Sequence, residues 1–393
     1  MVREVVITSG VRTAIGTFGG SLMNIPGPDL AAMVVKEAIK RSKIEPGLIE
    51  DVIFGNCMMR PDEYTVGRLV GLKAGIPFTT PGVTIQRQCA SGMQAVVYGA
   101  QQIMLGDADC ILAGGVEMMS RAIYYSKDAR WGARLKHQEL SCGIWDGLTD
   151  AYTGLIMGLT AENLAAKYNI SREEQDVVSL RSHNCAEAAI KGGKFKDEVL
   201  PIPIPQKKGD PKMFEIDEHV RMGMTMDQLT KLKPTFKKDG TVTAGNASGI
   251  NDGAAAVMLM AADKAKSLGI KPIARLVSYA TAGVEPELMG YGPVPATQKA
   301  LAKANLKLSD IELFEVNEAF AAQYLACEKL LGLKREIVNV NGSGIALGHP
   351  VGCTGARIII SLLNEMKRRG NKLGVATLCV GGGMGMTSIW ELL

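Results

Sequence analysis

Aromatic residues make up only 5% of the 393 positions, and histidine occurs four times. A chain this poor in stacking surfaces is badly equipped to hold bases. Its formal charge of +4, with both signs interspersed, offers no basic stripe to a phosphate backbone. No nucleic-acid partner is therefore expected. Paired cysteines are also missing: the eight stand at 57, 89, 110, 142, 185, 327, 353 and 379, with no Cys-x-x-Cys among them. That spacing gives no support to zinc ribbons or thioredoxin-type redox chemistry, and no resident metal or cofactor is expected. No uncharged apolar run reaches the length of a membrane span. The opening Met1-Val2-Arg3-Glu4-Val5-Val6-Ile7 puts charges inside a strand pattern, unlike the apolar core of a signal peptide. The expectation is a cytoplasmic protein with reduced thiols and no membrane contact.

What is present is an ordinary globular composition, 47% hydrophobic and 21% charged, in a chain long enough for two or three domains. Strand signals near 3–8 and 52–54 flank a helix predicted from Asp29, as N-cap, to Ser42. A punctuated loop follows from Asn56 to Gly67. Cys110-Ile111-Leu112-Ala113 reads as a buried strand that ends in Gly114-Gly115. Strands alternating with helices predict a mostly parallel α/β sheet. Residues 120–249 have a different texture, rich in charge, methionine and turns such as Pro201, Pro203 and Pro205. They read as an inserted domain, in which Ser171-Arg172-Glu173-Glu174 opens a helix to about Lys191 through a capping box. A strand resumes over Gly253 to Met260. The predicted halves are 1–119, completed by 250–271, and 272–393.

These halves repeat each other. The stripe Met93, Val96, Val97, Ala100 and Ile103 has helical spacing with one buried face. It recurs 263 residues later as Ala356, Ile359, Ile360, Leu363 and Met366. Asp51-Val52-Ile53-Phe54-Gly55-Asn56 returns as Glu312-Leu313-Phe314-Glu315-Val316-Asn317, displaced by 261, and Ile39 with Ile44 returns as Leu301 with Leu306, displaced by 262. Two copies of one α/β unit are the economical explanation. Packed about a pseudo-twofold, they bring equivalent strand-to-helix turns together, where ligands of α/β sheets bind.

In the first half that turn is Gln86-Arg87-Gln88-Cys89-Ala90-Ser91-Gly92, between the Val83-Thr84-Ile85 strand and the stripe. Cys89 is thus expected at a helix start, where free N–H groups favour a thiolate. In the second half the turn is Gly348-His349-Pro350-Val351-Gly352-Cys353-Thr354-Gly355. A histidine held there tends to stay neutral and can accept a thiol proton. The next strand, Val375 to Val380, carries Cys379 ahead of Gly381-Gly382-Gly383, whose backbone N–H groups are material for an oxyanion hole. Gly-x-x-x-x-Gly-Lys-Ser/Thr and a serine-centred Gly-x-Ser-x-Gly are both absent, which removes phosphate loops and hydrolase elbows.

Four blocks together resemble the active-site blocks of the thiolases, nearest to acetyl-CoA acetyltransferases. They are Cys89-Ala90-Ser91-Gly92, Asn317-Glu318-Ala319-Phe320, Gly348 to Gly355, and Cys379-Val380-Gly381-Gly382-Gly383. The likeness covers essentially the whole chain, including Thr243 to Gly249 and Met289-Gly290-Tyr291-Gly292-Pro293. It implies a duplicated five-layer α/β/α/β/α fold with an inserted loop domain. It also implies that Cys89 takes an acyl group from a CoA thioester, that His349 removes its proton, and that Cys379 is a second acid/base. One oxyanion hole would use the N–H groups of Cys89 and Gly381; the other would use His349 and a water held by Asn317. Coenzyme A, as substrate and product, would meet Leu148, Met157, Arg221, Ala244, Ser248, Ala319 and Phe320. A guanidinium at Arg221 independently suits the nucleotide end.

Two stretches depart from the family pattern. Ile156 stands where biosynthetic members commonly place histidine before Met157-Gly158, which touches the surroundings of the thioester. Arg60 to Arg68 differs at a subunit contact. The reading is reversible condensation of two acetyl-CoA to acetoacetyl-CoA by ping-pong acyl transfer. The alternatives are a thiolase for longer or unusual 3-ketoacyl chains and a silent CoA-binding paralogue, which is expected to have lost one of Cys89, His349 or Cys379. Arg130-Trp131-Gly132-Ala133-Arg134-Leu135 resembles a tetramerisation loop, so a homo-oligomer, dimer or tetramer, is expected.

Overall fold

The computed structural model describes residues 3–132 and 134–393; Met1, Val2 and Ala133, the last within the predicted tetramerisation loop, lie outside the described residues. Strand β1 (Val5–Thr13) leads to helix α1 (Gly27–Ser42). This helix opens on Pro26 and Pro28, not on Asp29 as cap. Proline lacks the N–H that the first turn leaves unpaired, and Asp29 instead places its charge inside that turn, where the helix dipole favours it. Then come β2 (Asp51–Gly55), α2 (Val66–Ala74), β3 (Gly82–Ile85), α3 (Ser91–Leu105) and β4 (Cys110–Met118). The glycines at 114 and 115 do not end β4. They let it pass under neighbouring backbone: a Cβ at Gly114 would stand 2.2 Å from the Ala255 oxygen, and one at Gly115 2.1 Å from the Gly352 oxygen.

The intervening region contributes α4 (Met157–Lys167) and α5 (Arg172–Lys191), the latter opened by the Ser171–Glu174 capping box. It is pinned to β1 by a buried ion cluster. Arg12 donates to Glu198 at 2.7 Å and to both oxygens of Asp217 at 2.7 and 3.0 Å. Losing either partner would strand a buried charge at a cost of about 3–5 kcal/mol.

The chain continues as β5 (Asn251–Ala261), β6 (Ala274–Gly283), α6 (Pro293–Lys303), β7 (Leu313–Val316) and α7 (Ala321–Leu331). It ends with α8 (Val351–Arg369), β8 (Leu373–Val380) and β9 (Met384–Leu392). The sheet order β3-β2-β4-β5-β1 passes into β6-β9-β8-β7 through two residue pairs, Val6 with Arg275 and Ile7 with Ala274. The two orders mirror each other about that junction, and a bridge from Phe314 to Val338 stands where β3 pairs with β2. Each half is mixed, not mostly parallel: β2 with β4 and β7 with β8 are parallel, while β5 and β9 run antiparallel to both neighbours. The three glycines after β8 are the reason in the second half. Gly382 and Gly383 have φ of +84° and +77°, the left-handed conformations that a tight hairpin demands.

Three hydrophobic cores separate five layers. α1 and α2 cover the outer face of the first sheet, α3 and α8 fill the space between the sheets, and α6 and α7 cover the outer face of the second. This is the duplicated α/β/α/β/α architecture. α3 and α8 are buried on nearly every side, and they meet backbone to backbone. A Cβ on Gly92 would lie 2.9 Å from the Ala356 nitrogen, and one on Gly355 2.4 Å from the Met93 nitrogen. Gly92 and Gly355 are themselves equivalents at the 263-residue displacement. Among the described residues no helix is long and apolar enough to cross a membrane.

Candidate active site

The crossing of α3 and α8 decides where their first residues lie. Ahead of α3, the chain turns through Gln88, a non-glycine residue at φ +43°. Such a conformation costs of order 1–2 kcal/mol and has to be held. Here the Gln88 carbonyl accepts from Ser91 Oγ at 2.6 Å and from Cys57 Sγ at 2.9 Å, while Arg87 N donates to Ser91 Oγ at 2.9 Å. Cys89 follows, half-buried, with its own N–H and that of Gly381 directed at its sulfur. Burial pushes the thiol up to about 11, and the two N–H groups only partly offset this. The helix start therefore does not by itself yield a thiolate.

Ahead of α8 stands His349, which is buried. Its N–H donates to Asn251 Oδ1 at 2.9 Å, and Gly348 reaches this contact at φ +106°, where a Cβ would strike the Asn251 amide. Nδ1 lies 2.7 Å from Thr354 Oγ1, whose proton goes to the Pro350 carbonyl at 3.0 Å. Thr354 can then only accept, so the network assigns the imidazole proton to Nδ1. Nε2 keeps its lone pair and is buried without a partner among the described residues. Burial first, then the charge of Arg357, lowers the ring to about 3, so it is neutral at physiological pH.

Cys379 lies near the end of β8, opposite Gly385, fully buried; burial and the facing sulfur of Cys89 push its thiol well up. Asn317 follows β7. Its Nδ2 is 3.5 Å from His349 Nδ1, and its buried Oδ1 has no partner among the described residues. The fold thus gathers Cys89, His349, Cys379, Asn317 and Gly381, drawn from two strand ends and two helix starts. Two neutral thiols, an unprotonated imidazole nitrogen and converging N–H groups can carry nucleophilic acyl transfer followed by proton abstraction. Neither Thr354 nor Asn251 is a residue to which the sequence assigns a role; Thr354 stands within the histidine block, whereas Asn251 becomes a partner only through folding.

Of the remaining predicted residues, Leu148, Met157, Ser248, Ala319 and Phe320 form a contiguous cluster. Ser248 N donates to the Ala319 carbonyl at 2.9 Å, Ala247 bridges Phe320, and Phe320 meets Phe236 edge-on with ring centres 6.3 Å apart. Met157 packs on this cluster and donates its N–H to Leu148 O at 2.9 Å. Behind it Trp145, Thr149, Ile156, Leu159 and Phe236 line a cavity of about 270 Å³. Arg221 is exposed, its N–H 3.3 Å from His183 Nδ1, and His219 rests against Gly249 beside Ser248. Ala244 is exposed in the turn that Thr243 N and Asn246 Oδ1 close at 2.7 Å.

With the thiol raised and a neutral imidazole gathered into the same site, Cys89 is expected to be alkylated by iodoacetamide at pH 7 and to react at least tenfold more slowly in His349→Ala. Equal rates, followed by mass spectrometry of the labelled peptide, would remove the histidine from the reaction.

Known proteins resemble this chain along its whole length. Family models described as Thiolase, N-terminal domain and Thiolase, C-terminal domain match residues 5–263 and 270–392. The acetyl-CoA acetyltransferase of Chromobacterium violaceum is 52% identical over 384 residues, 98% of each chain. Among solved structures, the acetyl-CoA acetyltransferase of Bacillus anthracis superposes with a TM-score of 0.98 at 52% identity, over 100% of this chain and 99% of that one. Human mitochondrial 3-ketoacyl-CoA thiolase in complex with CoA does so with a TM-score of 0.96 at 45% identity, over 100% of this chain and 98% of that one. Similar along its whole length to these proteins, and built with the same two domains, the chain belongs to the thiolase family.

Proposed function

We propose that the protein is an acetyl-CoA C-acetyltransferase that condenses two acetyl-CoA to acetoacetyl-CoA and CoA, reversibly, through an acetyl-Cys89 intermediate. One observation carries the reading: the buried Nε2 of His349, without a partner among the described residues, in a site that also holds two thiols, Cys89 and Cys379. His349 Nε2 takes the Cys89 proton, and the thiolate attacks the acyl carbonyl. The oxyanion develops toward the N–H groups of Cys89 and Gly381. The departing CoA thiolate takes the Cys379 proton, leaving acetyl-Cys89, an imidazolium and a Cys379 thiolate. A second acetyl-CoA loses its α-proton to Cys379, and its enolate oxygen is held by His349 Nε2–H and a water on Asn317. The carbanion attacks acetyl-Cys89, the carbon–carbon bond forms, and the Cys89 thiolate leaves and recovers its proton from His349. Every group ends as it began.

The raised thiols and lowered imidazole suit this cycle. Neutral partners keep the resting site uncharged in its buried setting, and ions form only as pairs once substrate excludes water. Coenzyme A lies, in this reading, along Leu148, Met157, Ser248, Ala319 and Phe320. Its nucleotide end reaches Ala244 and Arg221, with residues 120–249 acting as the CoA-holding domain between halves 1–119, with 250–271, and 272–393. Cys379→Ser is expected to slow exchange of labelled CoA into acetyl-CoA far less than condensation, because exchange requires no proton to be taken from carbon, and to lower condensation by about 10²–10⁴-fold. Equal loss of both reactions would overturn the division of labour.

A second reading is favoured by the apolar cavity beside Ile156 and by the likeness to a 3-ketoacyl-CoA thiolase: turnover of longer acyl chains. Thiolysis measured across 3-ketoacyl-CoAs of increasing length separates the two. A sharp preference for acetoacetyl-CoA supports the first, and a flat or long-chain profile sinks it.

The same reading includes a homo-oligomer in the cytoplasm, where eight free thiols stay reduced. The edge strand β3 exposes Val83, with Phe78 (85% exposed) and Tyr64 close by in sequence, and an unpaired apolar edge invites a second copy. Trp131 and Leu135, 88% and 97% exposed, form a second apolar stretch suited to pairing dimers. Light scattering is expected to give the mass of two or four chains; a monomer at micromolar concentration would contradict this.

A further inference from the structure

Glu117, near the end of β4, is buried and receives four N–H donors from two segments distant in sequence. Its Oε1 accepts from Asn56 Nδ2 at 2.9 Å and Met58 N at 3.1 Å; its Oε2 accepts from Cys57 N at 3.0 Å and Gly352 N at 2.8 Å. Gly352 belongs to the first turn of α8, three residues after His349. Cys57 in turn donates its Sγ–H to the Gln88 carbonyl, next to Cys89. One carboxylate thus ties the histidine's helix start to the loop that braces the nucleophile's turn. The fit is close, since a Cβ on Gly352 would stand 2.8 Å from Glu117 Oε2 and 2.9 Å from the Asn56 Cα.

Electrostatics does not explain this group. A negative charge here raises the Cys89 thiol, which opposes thiolate formation. Burial also pushes the carboxyl itself up to about 7, against the backbone N–H groups of Met58, Cys57 and Gly352. Geometry does explain it: every contact is a donor, two to each oxygen, so only a carboxylate satisfies all four. A glutamine amide, in either orientation, would set its NH₂ against two N–H groups.

We propose that Glu117 is a positioning residue that fixes His349 relative to Cys89 by clamping Gly352 to the Asn56–Met58 loop. This rests on the reading of Cys89 and His349 as reaction partners. Misplacement of reacting groups by about 1 Å costs on the order of 10²-fold in rate. Glu117→Gln is therefore expected to lower kcat for acetoacetyl-CoA thiolysis by about that factor, to leave KM within about twofold, and to slow iodoacetamide alkylation of Cys89.

The deciding measurement is a double-mutant cycle with His349→Ala. If Glu117 acts through His349, Glu117→Gln adds less than threefold in the His349→Ala background. Losses that multiply, a loss expressed in KM, or an unchanged kcat would each overturn the proposal. A His349→Ala enzyme with full activity would instead overturn the reading on which it rests. Should Glu117→Gln fail to fold, Glu117→Asp carries the same cycle: it keeps the charge but is one methylene too short to hold Gly352 and Met58 together.

Discussion

The close approach of α3 and α8 through Gly92 and Gly355 is the constraint on which the rest of the molecule turns. Two helices buried between two sheets have no solvent-facing side to spare, and their separation fixes how far apart the sheets stand. Because each helix begins at a turn that carries site residues, the same crossing sets the Cys89 turn beside the His349 turn. Gly115, under the Gly352 carbonyl, adds a third place where a side chain would push the halves apart. The glycines matter here through the absence of a Cβ, not through flexibility.

The two thiols and the imidazole of the candidate site are held uncharged by burial. Cys89 and Cys379 are raised, His349 is lowered, and desolvation is the leading cause each time. A site that excludes water strengthens every later interaction with developing charge. The partners that orient His349, Asn251 through the backbone and Thr354 through Nδ1, leave Nε2 without a partner among the described residues.

Much of this was legible in the sequence, and the reasons are local. The stripes at 93–103 and 356–366 mark two equally buried helices, so their common displacement reported the duplication. The blocks around Cys89, His349, Cys379 and Asn317 are contiguous motifs, and the fold brings their key residues together. What escaped depends on tertiary partners. Nothing near Glu117 or Asn251 predicts that one carboxylate would receive Gly352 or that one amide would hold the His349 backbone. Gly114-Gly115 looked like a strand end because glycine usually breaks strands; here it admits a carbonyl from across the core. The parallel pattern inferred from alternating elements failed at β5, which arrives only after the long insertion, and at β9, which returns through a three-glycine turn.

The paired strands give the duplication one more consequence. Cys379 faces Gly385 across β8 and β9 just as Glu117 faces Gly253 across β4 and β5, with Asn317 and Asn56 at the ends of the equivalent strands β7 and β2. The chain therefore contains a mirror image of its own site, made of Gly352, Asn56 and Glu117 where the other copy has Cys89, Asn317 and Cys379. In the mirror, the amide at the start of α8 is already occupied by a carboxylate of the same chain. In the original, the amide at the start of α3 faces the sulfur of Cys89 itself. A duplicated unit supplies two equivalent helix starts; this protein ties one to a carboxylate of its own and sets a thiol at the other, so two copies of one fold are chemically asymmetric.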